Sequence, residues 1–354
     1  MTERTRRRIA VVLFNLGGPD GPASVQPFLF NLFNDPAIID LPVVLRWPLA
    51  KLIAARRTKV AVGIYAKMGG GSPILENTRR QAAALETALT GKDEAKVFIA
   101  MRYWHPLTAE TAAAVKAFGP DEIVLLPLYP QFSTTTTDSS LRLWAKEARR
   151  LGLHTRTKTV CCFPTEPGFI AALATVTATA MATARARSMA PMVVIFSAHG
   201  LPKRIVARGD PYVAQVEVTV AAVAARLGLA RADWVIAYQS RVGPLEWVGP
   251  ATDRAIAEAA HAKKAIVVVP VAFVSEHSET LVELDIEYRH LAERHGAAAY
   301  ERAPTVSEAP DFIQGLARLV RTALAGEDTV QPGSGTQHCE GQARCACSQL
   351  KEHA

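Results

Sequence analysis

The sequence predicts an α/β protein of two similar domains, each a parallel four-stranded sheet flanked by helices, facing each other across a cleft. Short apolar segments alternate with longer segments rich in Ala, Leu, Arg and Glu along the chain. The apolar segments are nearly continuous, as in strands buried on both faces of a parallel sheet. The 354 residues are enough for two hydrophobic cores.

The first domain is assigned to residues 1–165. Its predicted strands are Ile9–Phe14, Lys96–Met101, Glu122–Pro127 and Lys158–Cys162, and its helices include Thr78–Thr90 and Pro106–Ala117. The turn after the first strand contains Gly17 and Gly18 but has neither G-x-G-x-x-G spacing nor a P-loop lysine, so no nucleotide cofactor is predicted.

The second domain is assigned to residues 166–326. Its predicted strands are Met192–Ser197, Trp234–Tyr238, Ala265–Phe273 and Ala297–Tyr300, and its helices include Pro211–Leu227 and Thr252–Ala262. Residues 327–354 leave the strand–helix pattern and begin with a linker composition, which predicts a flexible tail that carries cysteines.

An unusually apolar insertion, about residues 25–57, lies between the first strand and the next helix. Lys51, Arg56 and Arg57 lie at its end. One interpretation is a buried helical hairpin. The other is a partly exposed lip that admits a large flat apolar ligand or touches a membrane surface.

Composition and charge limit the function classes. The net charge of +7 suits an anionic ligand or a membrane surface. The basic residues are dispersed and not interleaved with aromatic ones, so nucleic acid is not a predicted partner. No apolar run approaches the roughly 18–20 residues that span a bilayer. Met1–Ala10 leads straight into a strand and not into a signal-peptide pattern, so we expect a cytoplasmic protein, with a peripheral membrane location as the open alternative.

His199 follows the strand Met192–Ser197 in the small-residue turn Ser197-Ala198-His199-Gly200. Ligands of open α/β sheets bind at the carboxyl ends of strands, where this turn lies. A neutral imidazole there can accept a proton or bind a metal near pH 7. A satisfied loop histidine is the alternative that this stretch alone leaves open.

An acidic row follows the next long strand. Glu276, Glu279, Glu283 and Glu287 are spaced by three, four and four residues, so a helix would carry them on one face. A solvated helix face is the ordinary explanation of such a row. Because the row has no Lys or Arg partners and begins at a strand end, it also suits the guidance of Fe²⁺ or of protons.

Aromatic and hydroxyl side chains recur where predicted strands end. Examples are Arg102-Tyr103-Trp104, the Ser/Thr run from Ser133 to Thr137, and Glu246-Trp247. This pattern favours a flat ring ligand with polar edges over a small polar metabolite. Helix capping and turn formation are the alternative role of the hydroxyl residues.

Taken together, the motifs resemble the ferrochelatases, which insert ferrous iron into a porphyrin to make haem. The resemblance runs from about Ile9 to about Leu324. It is carried by Leu16-Gly17-Gly18-Pro19, Arg56-Arg57-Thr58, Gly69-Gly70-Gly71-Ser72-Pro73-Ile74, Tyr129-Pro130-Gln131, Phe196-Ser197-Ala198-His199, Gln239-Ser240-Arg241-Val242-Gly243-Pro244 and Ser275-Glu276-His277-Ser278-Glu279-Thr280-Leu281. It implies two Rossmann-like domains around a porphyrin cleft, with Fe²⁺ and protoporphyrin IX as substrates and no nucleotide.

The resemblance also implies residue roles. The family's histidine falls on His199 and its essential carboxylate on Glu279, both facing the iron, with Glu283 and Glu287 as a relay for iron or protons. The implied porphyrin clamp is Tyr65, Arg102, Tyr103, Trp247 and Phe273, and the implied propionate contacts are Arg56, Arg57, Ser72 and Ser133. Whether His199 accepts a pyrrole proton or ligates iron stays open.

The motifs leave several alternatives open. Coproporphyrin could replace protoporphyrin, although the apolar lip favours the latter. A non-catalytic porphyrin carrier would not need the acidic row, and a chelatase for another tetrapyrrole would usually lack the Gln-Ser-x-Val-Gly-Pro motif. A hydrolase using Ser197 and His199 lacks the nucleophile-elbow glycine pattern.

The tail carries three of the five cysteines, Cys339, Cys345 and Cys347. Some ferrochelatases hold a [2Fe–2S] cluster on one internal and three C-terminal cysteines. The resemblance therefore implies such a cluster on Cys162 and the three tail thiols, with Cys161 as the alternative internal ligand. A zinc site is the alternative.

Overall fold

A computed structural model describes residues 6–240 and 245–333 of the chain. Strand and helix alternate throughout, as the sequence predicts. The strands are β1 (Arg8–Asn15), β2 (Glu94–Met101), β3 (Glu122–Pro127), β4 (Arg156–Val160), β5 (Met192–His199), β6 (Trp234–Gln239), β7 (Ala265–Pro270), β8 (Ala299–Arg302) and β9 (Val330–Gln331). The α-helices are α1 (Val25–Phe33), α2 (Val43–Ala66), α3 (Ile74–Ala88), α4 (Thr108–Phe118), α5 (Thr137–Leu151), α6 (Pro167–Arg187), α7 (Lys203–Ala207), α8 (Tyr212–Leu227), α9 (Thr252–His261), α10 (Tyr288–Arg294) and α11 (Pro310–Ala325). A π-helix spans Glu279–Glu287.

Two parallel sheets carry the fold. The first has the strand order β2-β1-β3-β4-β9 and the second β6-β5-β7-β8. The inner strands β1 and β5 are almost wholly buried because helices cover both faces of each sheet. The predicted α/β class with two parallel sheets is confirmed. Four strands is correct for the second sheet and wrong for the first, which gains β9 as a fifth strand.

The fifth strand comes from the segment predicted to be a flexible tail. Helix α11 packs against α3, β3 and β4, which brings the residues after it to the edge of β4. There the backbone N–H of Thr159 bonds to Thr329 O at 2.8 Å, and that of Cys161 to Gln331 O at 3.0 Å. The end of the chain therefore returns to the first sheet, because an open strand edge offers unpaired backbone groups.

A buried lysine fastens this returning segment. The Lys158 side chain on β4 is 0% exposed, and its Nζ donates to the carbonyls of Gly326, Glu327 and Asp328 at 2.8, 2.8 and 3.0 Å. These carbonyls follow the end of α11, where helical carbonyls lack partners within the helix. The charge on Lys158 thus satisfies the backbone at the turn between α11 and β9.

Lys158→Met is expected to lower the free energy of unfolding by about 2–3 kcal/mol, because it leaves buried carbonyls unpaired while keeping the chain volume. Urea unfolding measures this, with Lys92→Met, at an exposed position, as the matched control. An unchanged unfolding midpoint for Lys158→Met would show that the three hydrogen bonds contribute nothing net.

Helix α6 joins the two halves. It packs against β7 and β8 of the second sheet on one side and against α11 on the other. One hydrophobic core runs through both halves, from Leu13 and Leu126 to Phe196 and Val269. By length and composition α6 could cross a membrane, since its apolar stretch has a mean hydropathy of 1.4. The expectation that no apolar stretch approaches the length of a membrane span is therefore wrong for α6. Half of this apolar stretch is buried within the protein, as in a core helix.

The apolar insertion forms a hairpin of α1 and α2. Its inner face is buried, with Phe28, Leu29 and Ala54 packed in one cluster. Its outer face is not: Val44 is 74% exposed and Trp47 48%. The exposed-lip interpretation is therefore correct for the outer face of α2, and the fully buried hairpin is wrong.

Candidate active site

The carboxyl ends of both sheets border one cleft of about 1750 Å³. In each sheet the strand order reverses beside an inner strand, β1 in the first and β5 in the second, and ligands of open α/β sheets bind at such points. Both halves and the inner side of the lip contribute to the wall. The cleft is large enough for a flat macrocycle.

His199 and Glu279 form the polar centre of this cleft. His199 is the last residue of β5, and Glu279 is the first residue of the π-helix, which follows β7 in the chain. The sheet pairs β5 with β7, which brings two residues 80 positions apart into contact. His199 Nδ1 lies 2.9 Å from Glu279 Oε2. The predicted pair of catalytic candidates is thus assembled in the structure.

The charges of this pair settle the histidine tautomer. Burial alone would raise the pKa of Glu279, but the charge of His199 and its hydrogen bond lower it to about 2. An ionised Glu279 only accepts hydrogen bonds, so Nδ1 of His199 carries the donated proton. In neutral His199 the lone pair then lies on Nε2, which is free of Glu279 and can accept a proton or bind a metal.

The pKa of His199 moves the opposite way. Burial would lower it, but the charge of Glu279, the hydrogen bond to Glu279 and the charge of Glu283 raise it above 6.5. The stabilisation from this raised pKa is complete below about 6.5, the unfolded value, and is lost as the pH rises through the folded value. The stabilisation from Glu279 is complete above about 4.5 and is lost as the pH falls towards 2.

We therefore expect Glu279→Gln to destabilise the fold more at about pH 5.5 than at about pH 8.5, since the stabilisation from the raised pKa of His199 is complete below about 6.5 and declines as the pH rises. Urea unfolding of both proteins at the two pH values measures the difference. An equal loss at both values would mean that the pair adds no charge–charge stabilisation.

Glu283 is held by four hydrogen bonds. Its carboxylate accepts from Gln239 Nε2 at 3.2 Å, Ser240 N at 3.1 Å, Ser240 Oγ at 2.6 Å and Tyr288 Oη at 2.9 Å. Burial, and then the charge of Glu279, raise its pKa, which the bonds from Ser240 and Tyr288 partly oppose. Glu283 is therefore better placed than Glu279 to hold a proton.

The two other glutamates of the acidic row, Glu276 and Glu287, lie in different surroundings. Glu287 lines the cleft, but its side chain is 50% exposed and pairs with Lys67 at 3.2 Å. Glu276 lies outside the cleft wall and bonds Arg302 at 2.9 Å, so the predicted single row of four is wrong. The physical reason is that Glu276 precedes the π-helix and follows a different backbone path from the three residues within it. π-Helical segments are often found at functional sites.

The predicted porphyrin contacts come from both halves. Those that line the cleft are Arg57, Tyr65, Ser72, Arg102, Tyr103, Ser133, Trp247 and Phe273. Tyr65 is buried, and its burial raises its pKa to about 12, so its phenol stays protonated at neutral pH. Ser72 is wedged against the first turn: a Cβ on Gly18 would lie 2.5 Å from Ser72 Cβ. The two glycine-rich motifs thus pack directly on each other.

Two of the predicted propionate contacts differ from expectation. Arg56 is exposed on α2 and does not line the cleft, whereas Arg57 does, because neighbouring residues of a helix point about 100° apart. Ser133 lines the cleft but is only 1% exposed, and its hydroxyl donates to the buried Asp210 at 3.0 Å. Its hydroxyl is therefore already engaged inside the protein.

Sequence reasoning missed several polar residues at the site. Ser240 has a left-handed backbone, with φ of 62°, and bonds both Glu279 and Glu283 through Oγ. Such backbone strain is common at functional sites. Asp35 is 3% exposed and pairs with Arg102 at 2.7 Å. The only acids in the apolar insertion are Asp35 and Asp40, and this rarity was the one available signal for Asp35.

The predicted cluster ligands are only partly described. Cys162 is buried at the end of the first half, with its Sγ 3.8 Å from that of Cys161. Cys339, Cys345 and Cys347 lie outside the described residues. Over residues 6–240 and 245–333, no group of three or more His, Cys, Asp or Glu side chains is assembled that could hold a metal ion.

The fold is that of a chelatase. SirB from Bacillus subtilis, solved with Fe³⁺, superposes with a TM-score of 0.53 at 10% identity and covers 90% of this chain and 96% of its own. Sirohydrochlorin chelatase SirB from Bacillus subtilis subspecies spizizenii, solved with cobalt, gives 0.51 at 10% identity over 90% of this chain and 95% of its own. At such low identity the likeness concerns the fold alone.

Sequence comparison is more specific. The ferrochelatase family model matches residues 8–324. A ferrochelatase from Caulobacter vibrioides is 53% identical over 345 residues, which cover 96% of this chain and 98% of that protein. One from Phenylobacterium zucineum is 52% identical over 344 residues, again 96% of this chain and 98% of the relative. The chain belongs to the ferrochelatase family.

Proposed function

We propose that the protein inserts Fe²⁺ into protoporphyrin IX, forming protohaem and releasing two protons. The observation that carries this proposal is the His199–Glu279 pair, a base next to a carboxylate at the centre of a large cleft between two parallel sheets. Family membership supports the same reaction.

The reaction needs a base and an anionic guide. A free porphyrin carries two N–H protons at its centre, and both leave when the metal enters. His199 accepts a pyrrole proton at Nε2, because its Nδ1–H is fixed on Glu279. Glu279 attracts the cation and balances the positive charge that develops on His199. Glu283, whose pKa is raised, takes protons onward from the centre.

The cleft wall supplies the distortion that the reaction needs. A flat porphyrin shields its nitrogens, so binding energy at the rim must bend the ring before iron can enter. Tyr65 and Phe273 offer rigid surfaces for such a clamp, whereas Tyr103, at 1% exposure, is buried within the cleft wall. Arg57 and Ser72 are the remaining candidates for propionates, since Arg56 lies outside the wall and Ser133 is engaged by Asp210.

The test is anaerobic incubation of the purified protein with Fe²⁺ and protoporphyrin IX, followed by absorption spectroscopy. The metalloporphyrin spectrum should replace the free-base spectrum only when protein is present. Porphyrin binding without metal insertion would establish a carrier. A preference of about tenfold in kcat/KM for coproporphyrin, about 1.4 kcal/mol, would instead assign the coproporphyrin substrate.

We also propose that the protein is cytoplasmic and that the outer face of α2 touches a membrane surface. Val44, Leu45 and Trp47 are exposed there, with Lys51 over the Trp47 ring at 5.2 Å, a pairing of apolar and basic groups that suits anionic lipid. Sedimentation with anionic vesicles tests this. Val44→Ser/Leu45→Ser should weaken binding, and unchanged binding would contradict the proposal.

A [2Fe–2S] cluster on Cys162 and the three tail cysteines is a further proposal. Supporting it, the backbone N–H of Gly333 bonds to the Cys162 carbonyl at 2.7 Å. Five residues separate Gly333 from Cys339, so the six steps along the chain span at most roughly 20–22 Å. Protein purified without oxygen should be red-brown, and Cys339→Ser should bleach it. Colourless protein with one zinc ion and no sulfide would contradict the cluster.

A further inference from the structure

Asp35 is the most heavily engaged carboxylate in the wall of the first half. It follows α1 in the chain, and its side chain is 1% exposed. Three side chains meet the same oxygen, Oδ2: Arg102 Nη2, Tyr103 Oη and Ser139 Oγ, each at 2.7 Å. The other oxygen, Oδ1, accepts from Ala37 N at 2.9 Å. A buried carboxylate with four donors is fully satisfied and fixed in place.

This carboxylate fixes the orientation of the Arg102 guanidinium. Nη2 bonds Asp35, and Nε donates to Ser139 Oγ at 2.8 Å, so the planar fork is held along one edge. Its Cζ lies 5.0 Å from the centre of the Tyr103 ring, which supports the group from a second side. No described residue bonds Nη1, so those two N–H groups remain for whatever occupies the cleft that Arg102 lines.

The Asp35 carboxylate also joins the lip to the part of the cleft wall that carries Arg102 and Tyr103. Arg102 and Tyr103 follow β2, and Ser139 lies in the first turn of α5. Asp35 lies in the connection between α1 and α2, so its bonds tie the lip hairpin to both elements. A second polar link runs beside it, from Asn31 Nδ2 on α1 to the Tyr103 carbonyl at 3.1 Å.

We propose that Asp35 is a positioning residue for the porphyrin: it holds Arg102 and Tyr103 in the cleft wall and keeps the lip attached to that wall. It also cancels the charge of Arg102, in a cleft that has to admit a divalent cation. The role rests on the porphyrin-binding function proposed above, and it concerns binding and not the proton transfer at His199.

The test is Asp35→Asn, which keeps the shape and removes the charge. We expect KM and Kd for porphyrin to rise about tenfold or more, because small misplacements of binding groups are costly, while kcat stays within about threefold. Kd comes from quenching of porphyrin fluorescence, which needs no turnover and so separates failure of this proposal from failure of the reaction. Asp93→Asn, which breaks the Arg7 ion pair at the start of β2, is the matched control and should change neither constant.

A double-mutant cycle identifies the route of the effect. If Asp35 acts through Arg102, then Asp35→Asn should add little to the loss already caused by Arg102→Met. Fully additive losses, or an unchanged Kd in Asp35→Asn, would overturn the proposal. Should Asp35→Asn not fold, Ser139→Ala replaces it, since the Ser139 hydroxyl bonds both Asp35 and Arg102 Nε. An unchanged Kd there would equally overturn the positioning role.

Discussion

His199→Ala should abolish iron insertion, with kcat reduced by about 100-fold or more, while porphyrin affinity changes by less than about threefold. The reason is that Nε2 of His199 is the base exposed at the centre of the cleft once Glu279 has fixed Nδ1. The imidazole is not part of the apolar wall that holds the macrocycle. Single-turnover formation of the metalloporphyrin gives kcat, and fluorescence quenching gives the affinity.

His154→Ala, on an exposed loop after α5, is the matched control and should keep full activity. Added imidazole should partly restore turnover in His199→Ala if the residue is a base, because a free imidazole can accept the proton. Substantial turnover in His199→Ala without imidazole would remove His199 from the mechanism altogether.

Glu279→Gln should lower kcat by about 100-fold with little change in porphyrin affinity, because the amide keeps the shape but loses the charge. Two effects act together. The iron loses the negative charge that attracts it. The pKa of His199 falls, because the charge of Glu279 no longer raises it. The rising limb of the pH–rate profile should therefore move to lower pH than in the wild type.

The neighbouring glutamates provide a graded comparison. Glu283→Gln should lower kcat less than Glu279→Gln. Glu283 accepts hydrogen bonds from Gln239, Ser240 and Tyr288 and acts on His199 only through its charge. Glu287→Gln should lower kcat least of the three, because the half-exposed carboxylate of Glu287 already pairs with Lys67. Equal losses at all three positions would indicate a continuous conduit in place of one key carboxylate.

The sequence determined the elements and the chemistry at their ends. Nearly continuous apolar runs such as Met192–Ser197 are local signals, and those at β1, β3, β5 and β7 became buried parallel strands. The motif around His199 and the one around Glu279 each contain one residue of the polar centre of the cleft. These predictions succeed because burial on both faces and strand-end chemistry are written in consecutive residues.

Only the tertiary structure decided which groups meet. Lys158 bonds carbonyls 168 to 170 residues away, Asp35 reaches Arg102 across 67 positions, and Ser133 is engaged by Asp210. The direction of α2 in the lip separated Arg57 from Arg56, and the packing of α11 made β9 a strand of the first sheet. Each of these outcomes depends on packing between distant segments, and neither hydrophobic period nor local spacing contains that information.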